Sequence, residues 1–344
     1  MTQIQVAYET YGTLNEQGSN AILACHALSM DAHPSNNNDP HVEPGWWNFM
    51  VGPNKAIDTL KFFVVCFNVL GGCYGSTGPD SSKPDSERKY LTDFPEVTIE
   101  DMVDIQKLAL EQLGVKKLHT VIGGSLGGMQ ALEWSVRHPQ LVERTIAIAT
   151  GASLSPQGLA FDIVGRQCIL NDPNWKNGQY QTEDVKNING LALARMIGHI
   201  TYISKQAMDV KFGRKLQDGL SDKGFTTAFA VESFLKYNSE RFLKRFDPNT
   251  YLYLTKCMDT YDMVDGYSNL EESVERTQSK FLIISFSSDW LFPPANSVDL
   301  AKALYHKHKE ATYVCIETDL GHDAFLIDAP ELEAMKQLVR AFIQ

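Results

Sequence analysis

The segment VIGGSLGGM, residues 121–129, places a serine between two pairs of glycines. An apolar run typical of a strand precedes Ser125, and an amphipathic run typical of a helix follows it. The glycines permit a sharp strand-to-helix turn, which would raise the Ser125 hydroxyl above a sheet at the positive end of the helix. The segment also fits the pattern G-x-S-x-G, in which the serine is a nucleophile. A glycine-rich turn without chemistry is the alternative, so partner residues must decide between the two.

Alternating strand and helix patterns surround this segment. Short apolar runs predict strands, and two segments of helical periodicity, 99–114 and 126–138, lie between them. The runs that predict strands are residues 21–25, 62–70, 118–124, 144–150, 280–286 and 311–317. Strand, helix and strand in short succession imply right-handed crossovers and a mostly parallel sheet flanked by helices. The sequence therefore predicts an α/β fold.

A long region with a different sequence pattern separates the first four of these predicted strands from the last two. Between about residues 155 and 275, three long segments are helical in period and rich in Met, Tyr and Phe, with no convincing strand among them. We interpret this region as an inserted helical lid. The predicted catalytic domain comprises residues 1–160 and 276–344, and the predicted lid domain comprises residues 161–275.

Composition excludes several classes of function. The chain has 344 residues, 43% of them hydrophobic, which suits one large domain or one domain with an insertion. A net charge of −11 argues against binding to nucleic acids or anionic membranes. Six scattered cysteines without a C-x-x-C pair are typical of reduced core residues. Since neither a signal-peptide pattern nor a membrane-spanning apolar run is evident, we expect a soluble, cytoplasmic protein.

Two residues after the last predicted strands complete a catalytic pattern with Ser125. A serine hydroxyl needs a base and a group that orients the base, and in this kind of sheet the order along the chain is Ser, Asp or Glu, His. Asp289 follows the strand at 280–286, and His322 is the only histidine after the strand at 311–317. Asp289 as a turn former and His322 as a loop histidine are the alternatives for each residue alone. Three candidates in the right order after the right strands favour a Ser-His-Asp triad.

An oxyanion hole requires two backbone N–H groups near the nucleophile. We predict one from Leu126, next to Ser125, and the other from Leu28, in the loop HALSMDAH after the strand at 21–25. His26 and His33 in that loop lack a third metal ligand at a sensible spacing, so we predict no metal site there.

Several motifs together resemble those of homoserine O-acetyltransferases of the α/β-hydrolase superfamily. They are HALSMDAH, GWWNFMVGPNKAIDT, NVLGGCYGSTGP, GGSLGGMQALEW, LARMIGHITYIS, KFGR, SDWLFPP and GHDAFL. The similarity covers nearly the whole chain, and ARMIGHITYIS is specific because general α/β-hydrolases share little in the inserted region. It implies an α/β-hydrolase fold with a helical lid, and acetyl transfer from the co-substrate acetyl-CoA to L-homoserine in methionine biosynthesis. It also implies a homodimer formed through the lids, and no bound cofactor.

The resemblance further implies roles for four residues that bind substrate. Arg195 would hold the homoserine carboxylate as a bidentate pair, Asp323 would hold the ammonium group, and Tyr202 would lie two helical turns from Arg195 on the same face. A surface salt bridge, a solvated loop charge and lid packing are the alternative roles of these three. Ser29 stands where relatives commonly have threonine, in the loop that borders the acyl pocket. Succinyl-CoA as the donor, serine as the acceptor, a plain esterase and a noncatalytic binding protein therefore stay open at this point.

Overall fold

The structure, a computed structural model, describes residues 3–217, 225 and 228–344. Seven strands form one sheet in the order β1-β5-β2-β6-β7-β8-β9, in which β1 is antiparallel to its neighbour and the other strands are parallel. Strands β3 and β4 pair only with each other. The strands are β1 (Tyr8–Tyr11), β2 (Ala21–Cys25), β3 (Val51–Gly52), β4 (Ile57–Asp58), β5 (Phe63–Phe67), β6 (Leu118–Gly124), β7 (Val142–Ile148), β8 (Lys280–Phe286) and β9 (Ala311–Ile316).

The described residues form ten α-helices. They are α1 (Ile99–Gln112), α2 (Leu126–Arg137), α3 (Pro156–Leu170), α4 (Asn189–Tyr202), α5 (Lys205–Lys211), α6 (Ala230–Leu243), α7 (Pro248–Thr260), α8 (Leu270–Glu275), α9 (Pro294–His306) and α10 (Glu333–Ile343). Strands β2 and β5, both inside the sheet, are buried along their whole length, as is typical of parallel strands covered on both faces. The predicted α/β fold with a mostly parallel sheet is confirmed.

Helices α3 to α8 lie between β7 and β8, in the region where the sequence has helical periodicity. The first of the three long helical segments predicted in the lid is two helices, α4 and α5, which are separated at Ile203 and Ser204. The chain starts a new helix there because the Ser204 hydroxyl caps α5 by accepting a hydrogen bond from the Ala207 N–H at 2.9 Å. We call helices α3 to α8 the helical insertion. The division of the chain into two domains at residues 161 and 275 stays a prediction.

The described residues contain features that the sequence analysis either misjudged or did not predict. All six cysteines are free, but only Cys25, Cys66 and Cys257 are buried, so three are not core residues. Helix α10 packs Met335, Val339 and Ile343 into the core cluster under β8. Within the described parts of the chain, none of the helices has the length and apolar character that a membrane span requires.

Candidate active site

Ser125 occupies the turn between β6 and α2, at the carboxyl end of the central strand. Its backbone has φ 56° and ψ −124°, an uncommon conformation for a residue with a side chain. The Ser125 N–H donates to the Ile148 carbonyl at 3.0 Å, which ties the turn to the neighbouring strand β7. Ser125 is only 6% exposed. The predicted sharp turn is therefore present, with the serine at its tip and the helix beginning at the next residue.

The glycines around Ser125 are required by close backbone approach. A Cβ atom on Gly123 would lie 2.2 Å from the Gly127 carbonyl oxygen, and a Cβ atom on Gly127 would lie 2.1 Å from the Cys25 carbonyl oxygen. Both distances are shorter than any real contact, so neither position accepts a side chain. The glycine pattern thus holds β2, β6 and α2 close together below the serine.

Asp289 and His322 form a buried hydrogen-bonded pair at the same edge of the sheet. The His322 Nδ1 atom lies 2.8 Å from the Asp289 Oδ2 atom, and the two residues are 2% and 3% exposed. The Asp289 Oδ1 atom accepts backbone hydrogen bonds from Leu291 and Phe292, each at 2.9 Å. Because the carboxylate is fixed by these donors, it orients the imidazole through Nδ1 and leaves Nε2 as the other ring nitrogen for chemistry.

Aromatic rings hold the imidazole of His322 on two sides. Phe292 stacks on it with ring centroids 5.4 Å apart, and Tyr202 lies 6.0 Å from it. Phe292 and Tyr202 also line the small cavity that Ser125 borders, so His322 and Ser125 belong to one site. Burial opposes a charge on His322, but the Asp289 carboxylate outweighs burial and raises the pKa of the imidazole above its ordinary value.

The loop after β2 lies against the nucleophile turn. Leu28 lines the same cavity as Ser125, and Leu126 is buried at the first position of α2, where backbone N–H groups have no partner within the helix. His26 fixes this loop, since its Nδ1 atom lies 2.8 Å from the Ala27 carbonyl oxygen and its Nε2 atom accepts from the Val69 N–H at 3.1 Å. With both ring nitrogens engaged, His26 supports the loop. The described residues contain no group of three or more His, Cys, Asp or Glu side chains placed to hold a metal ion.

Helix α4 brings Arg195 and Tyr202 to this loop. The Arg195 guanidinium lies 5.5 Å from the centre of the Tyr202 ring and 4.6 Å from that of Phe242. Its Nη1 atom donates to the Ser29 hydroxyl at 3.3 Å, whereas its buried Nε atom has no hydrogen-bond partner among the described residues. An unpartnered N–H on a half-buried cation is a donor held ready for an acceptor such as a carboxylate.

Asp323 follows His322 directly and lies half-buried at the start of a short 3₁₀ helix, His322–Leu326. Burial raises the pKa of Asp323, while the charges of His322 and Arg195 act in the opposite direction. The nine residues that the sequence predicts for the site are thus linked by neighbouring contacts, from Ser29 through Arg195 and Tyr202 to His322 and to the cavity beside Ser125.

The loop that carries His322 is locked to the end of α4. Gly321 has φ 82°, and a Cβ atom there would lie 2.5 Å from the Ser204 backbone nitrogen and 2.8 Å from the Tyr202 carbonyl oxygen. The Ser204 hydroxyl donates to the Asp319 carbonyl, and the Gly321 N–H donates to the Ser288 hydroxyl at 3.0 Å. Only glycine allows this approach of the two segments.

Comparison with known proteins decides the family. Residues 20–329 match the model of the alpha/beta hydrolase fold family. The chain is 51% identical over 330 residues to the homoserine O-acetyltransferase of Methanobrevibacter ruminantium, an alignment that covers 95% of this chain and 67% of that protein. The chain belongs to the homoserine O-acetyltransferase family. It is accordingly an acyltransferase with an α/β-hydrolase fold.

Solved structures that resemble the chain include both a transferase and an esterase. A homoserine O-acetyltransferase from Bacillus anthracis is 29% identical with a TM-score of 0.90, and the alignment covers 99% of this chain and 92% of that one. Esterase E22 is 30% identical with a TM-score of 0.89, and its alignment covers 99% and 94%. Backbone similarity alone thus does not separate the homoserine O-acetyltransferase family from esterases.

The sequence analysis missed two residues at the site. Arg245, which follows α6, donates from Nη2 to the Ser29 carbonyl at 2.8 Å and from Nη1 to the Tyr74 hydroxyl at 3.0 Å. Asp162 on α3 lines the cavity beside Ser125. The only local signal for Asp162 was an acidic residue inside the apolar run AFDIV, and Arg245 had none.

Proposed function

We propose that this acyltransferase moves the acetyl group of acetyl-CoA to the hydroxyl of L-homoserine through an acyl-enzyme on Ser125, as a step of methionine biosynthesis. The observation that carries the proposal is the buried Asp289–His322 pair, whose imidazole contacts Phe292 and Tyr202 of the cavity beside Ser125, together with an Arg195 Nε that has no partner among the described residues. Ser125 supplies the nucleophile and His322, oriented by Asp289, supplies its base. Arg195 supplies a cation that can bind the carboxylate of an amino acid. Acetyl-CoA enters as a co-substrate, and triad chemistry calls on no resident cofactor.

The first half-reaction would form the acyl-enzyme. His322 Nε2 takes the proton of the Ser125 hydroxyl while the oxygen bonds to the thioester carbonyl carbon. Backbone N–H groups of Leu28 and Leu126 stabilise the negative oxygen that develops, and Asp289 stabilises the imidazolium. When the carbon–sulfur bond breaks, His322 returns the proton to sulfur and free CoA leaves.

The second half-reaction would use the same groups in reverse. The homoserine hydroxyl gives its proton to His322 and attacks the acyl carbon, after which the bond to Ser125 breaks and the proton returns to the serine oxygen. Arg195 would bind the α-carboxylate as a bidentate pair, and Asp323 the ammonium group. Tyr202 packs beside the Arg195 guanidinium and would hold it in place.

Transfer must outcompete hydrolysis, because water is present at about 55 M while the alcohol is dilute. The helical insertion covers Ser125, which limits the access of water, and a bound acceptor gains the advantage of fixed orientation. A second candidate function, a plain esterase, draws support from the similarity to esterase E22. An esterase transfers the acyl group to water, so it would not need Arg195 and Asp323 to bind an amino-acid acceptor.

A single panel assay tests the proposal. Acetyl-CoA and succinyl-CoA are each combined with L-homoserine, with L-serine and with no acceptor, while free CoA is measured. We expect CoA release to depend on homoserine with acetyl-CoA, and we expect acetyl-CoA alone to add one acetyl mass to Ser125. CoA release at the same rate without an acceptor would instead identify an esterase. Preference for succinyl-CoA or serine would reassign the donor or the acceptor.

We also propose a homodimer formed through the helical insertion. Large apolar side chains are exposed on its outer surface, at Ile163 and Val164 of α3, Leu193 and Ile200 of α4 and Tyr237 of α6. A second copy of the chain would cover them. Ile163→Glu should yield monomers in analytical ultracentrifugation, whereas Leu108→Glu, at an equally exposed residue of α1, should leave the mass unchanged. Free thiols at all six cysteines are compatible with a reducing compartment, and we propose the cytoplasm.

A further inference from the structure

A small cavity of about 30 Å³ lies beside Ser125. Since about 10–15 Å³ suffices for one water molecule, the cavity has room for a hydroxyl or an ammonium group but not for a whole amino acid. Tyr202, which packs beside the Arg195 guanidinium, lines this cavity, and so does Asp162 of α3. The cavity therefore connects the nucleophile with the side of the site on which Arg195 lies.

Asp162 is the only charged side chain among the described residues that line this cavity. It lies next to Asp259 of α7, which forms a salt bridge with Arg166 of α3. Two carboxyl groups thus share one arginine. Burial and the neighbouring Asp259 carboxylate raise the pKa of Asp162 well above its usual range, so the Asp162 carboxyl group keeps a proton in the absence of a ligand.

The charge balance of this cluster leaves a place for one further positive charge. If Asp162 and Asp259 were both ionised, Arg166 would neutralise only one of them, and an unpaired buried charge is strongly unfavourable. In the free protein the proton on Asp162 fills this place. An ammonium group can fill it instead, because the proton then passes to solvent and the Asp162 carboxylate pairs with the ammonium group. The net charge of the cluster and its ligand is the same in both cases.

The length of an amino-acid acceptor fits this arrangement. In homoserine the hydroxyl oxygen and the ammonium nitrogen are at most about 5 Å apart, because four single bonds of about 1.5 Å join them. When the hydroxyl attacks an acyl group on Ser125, the ammonium group must therefore stay close to that serine. Asp162 supplies a carboxyl group in the same small cavity, and Tyr202 lies between the cavity and Arg195, which would bind the carboxylate of the acceptor.

We infer that Asp162 is a further acceptor-binding residue, which selects acceptors that carry an ammonium group. An ammonium group has three N–H donors, so Asp162 and Asp323 can both accept hydrogen bonds from it. The inference rests on the proposed transfer of an acyl group from Ser125 to homoserine, and it adds a specificity determinant to that reaction.

The test compares two acceptors that differ only in the ammonium group. L-Homoserine and 4-hydroxybutyrate share the hydroxyl, the carboxylate and the four-carbon chain. The protein is first acylated with acetyl-CoA, and rapid quench with intact-protein mass spectrometry then follows the loss of the acetyl mass against acceptor concentration. In Asp162→Asn the second-order rate constant for homoserine should fall at least about tenfold, whereas that for 4-hydroxybutyrate should change by less than about threefold. Acylation by acetyl-CoA should stay close to the wild-type rate.

Controls separate a role in binding from a role in folding. Asp209→Asn removes an equal charge from the exposed face of α5 in the same helical insertion, and it should keep the wild-type ratio of the two rate constants. Asp162→Ser is a second neutral variant, to be used if the asparagine variant does not fold, and it should lower the ratio in the same way.

Three results would overturn the inference. They are a wild-type protein that uses both acceptors equally well, a ratio unchanged in Asp162→Asn, and an equal loss with both acceptors, which would make Asp162 a structural residue of α3. A failure of the proposed function looks different. In that case acetyl-CoA forms no acetyl-serine, or the acetyl-serine of the wild-type protein reacts with neither acceptor.

Discussion

The carboxyl edge of the sheet and the helical insertion meet at one site, but they are built differently. At the sheet edge, Ser125, Asp289 and His322 are almost fully buried, and both Asp289 carboxylate oxygens accept hydrogen bonds. In the helical insertion, Arg195 is half-buried, its Nε has no hydrogen-bond partner in the described part of the chain, and apolar side chains face outward. At the sheet edge the Asp289 carboxylate and His322 Nδ1 have hydrogen bonds before substrate arrives, whereas in the helical insertion Arg195 Nε has no partner among the described residues.

This difference indicates a division of labour. A buried, hydrogen-bonded Asp289–His322 pair suits the chemistry of acyl transfer to any acceptor, since its geometry must be the same in both half-reactions. The unsatisfied Arg195 suits selection, because an acceptor with a carboxylate completes its hydrogen bonds. Substitutions at the sheet edge should then impair both half-reactions, and substitutions at Arg195 only the second.

The largest effect is expected for Ser125→Ala. Loss of the nucleophile should lower activity by about four orders of magnitude or more, and acetyl-CoA should no longer add mass to the protein. Steady-state kinetics and intact-protein mass spectrometry measure both effects, with Ser86→Ala on an exposed loop as the control. If the Ser125→Ala protein turns over at the wild-type rate, the serine is only part of a turn.

The next effect is expected at Arg195. Arg195→Ala should reduce efficiency with homoserine by roughly two to three orders of magnitude, because a charge-assisted pair in a covered site is lost. Arg195→Lys should fall between the alanine variant and the wild type, since it keeps the charge but not the planar fork. Rapid-quench measurements of each half-reaction should find acylation by acetyl-CoA close to normal in both variants.

Arg241→Ala, at an exposed arginine of α6, serves as the matched control and should keep the kinetics of both half-reactions. Homoserine kinetics unchanged in Arg195→Ala would leave Arg195 a structural residue of α4. Equal damage to acylation and to deacylation would remove the distinction between the two regions.

A smaller effect is expected at Arg245, which joins the two regions through the Ser29 carbonyl. Arg245→Gln should slow both half-reactions by about threefold, because the loop that carries Leu28 loses a charge-assisted hydrogen bond that solvent weakens at this exposed side chain. The neighbouring Lys244→Gln, a change at an exposed residue, should have little effect. If Arg245→Gln slowed only the homoserine step, Arg245 would contribute to acceptor binding rather than to the position of this loop.

The smallest effect concerns pH. His322 must be neutral to accept a proton, and the Asp289 carboxylate raises its pKa despite burial. Activity should therefore fall, as the pH decreases, with a midpoint above the ordinary histidine value of about 6.5. The pH profile of single-turnover acylation measures this midpoint. A midpoint below the ordinary value would mean that burial dominates over Asp289.

The residues at the sheet edge could be predicted because their signals are local. Apolar runs mark β2 and β6, glycine pairs mark the turn at Ser125, and the chain order of Asp289 and His322 follows from the topology. Helix α10 had a local signal as well, an apolar stripe at Met335, Val339 and Ile343, and was still missed.

Contacts made by the helical insertion were not predictable in the same way. Arg245 reaches Ser29 across 216 positions of sequence, and Asp162 reaches the cavity beside Ser125 only through the packing of α3. Neither contact leaves a pattern in neighbouring residues, because the packing of helices over the sheet determines it. The family resemblance pointed to Arg195, Tyr202 and Asp323, whereas the residues alone left salt bridges and packing open.

The contact at Gly321 has a mechanical consequence. The backbone before His322 lies against the end of α4 with no room for even a methyl group, and the Ser204 hydroxyl is hydrogen-bonded to the Asp319 carbonyl of the same loop, so a movement of α4 in either direction would displace the histidine loop. If α4 moved outward to admit a bulky acyl donor, His322 would move away from the position in which it can accept the proton of Ser125. The enzyme would then be inactive while α4 is displaced and active again only after α4 returns. A thioester could therefore not be cleaved while α4 is partly displaced.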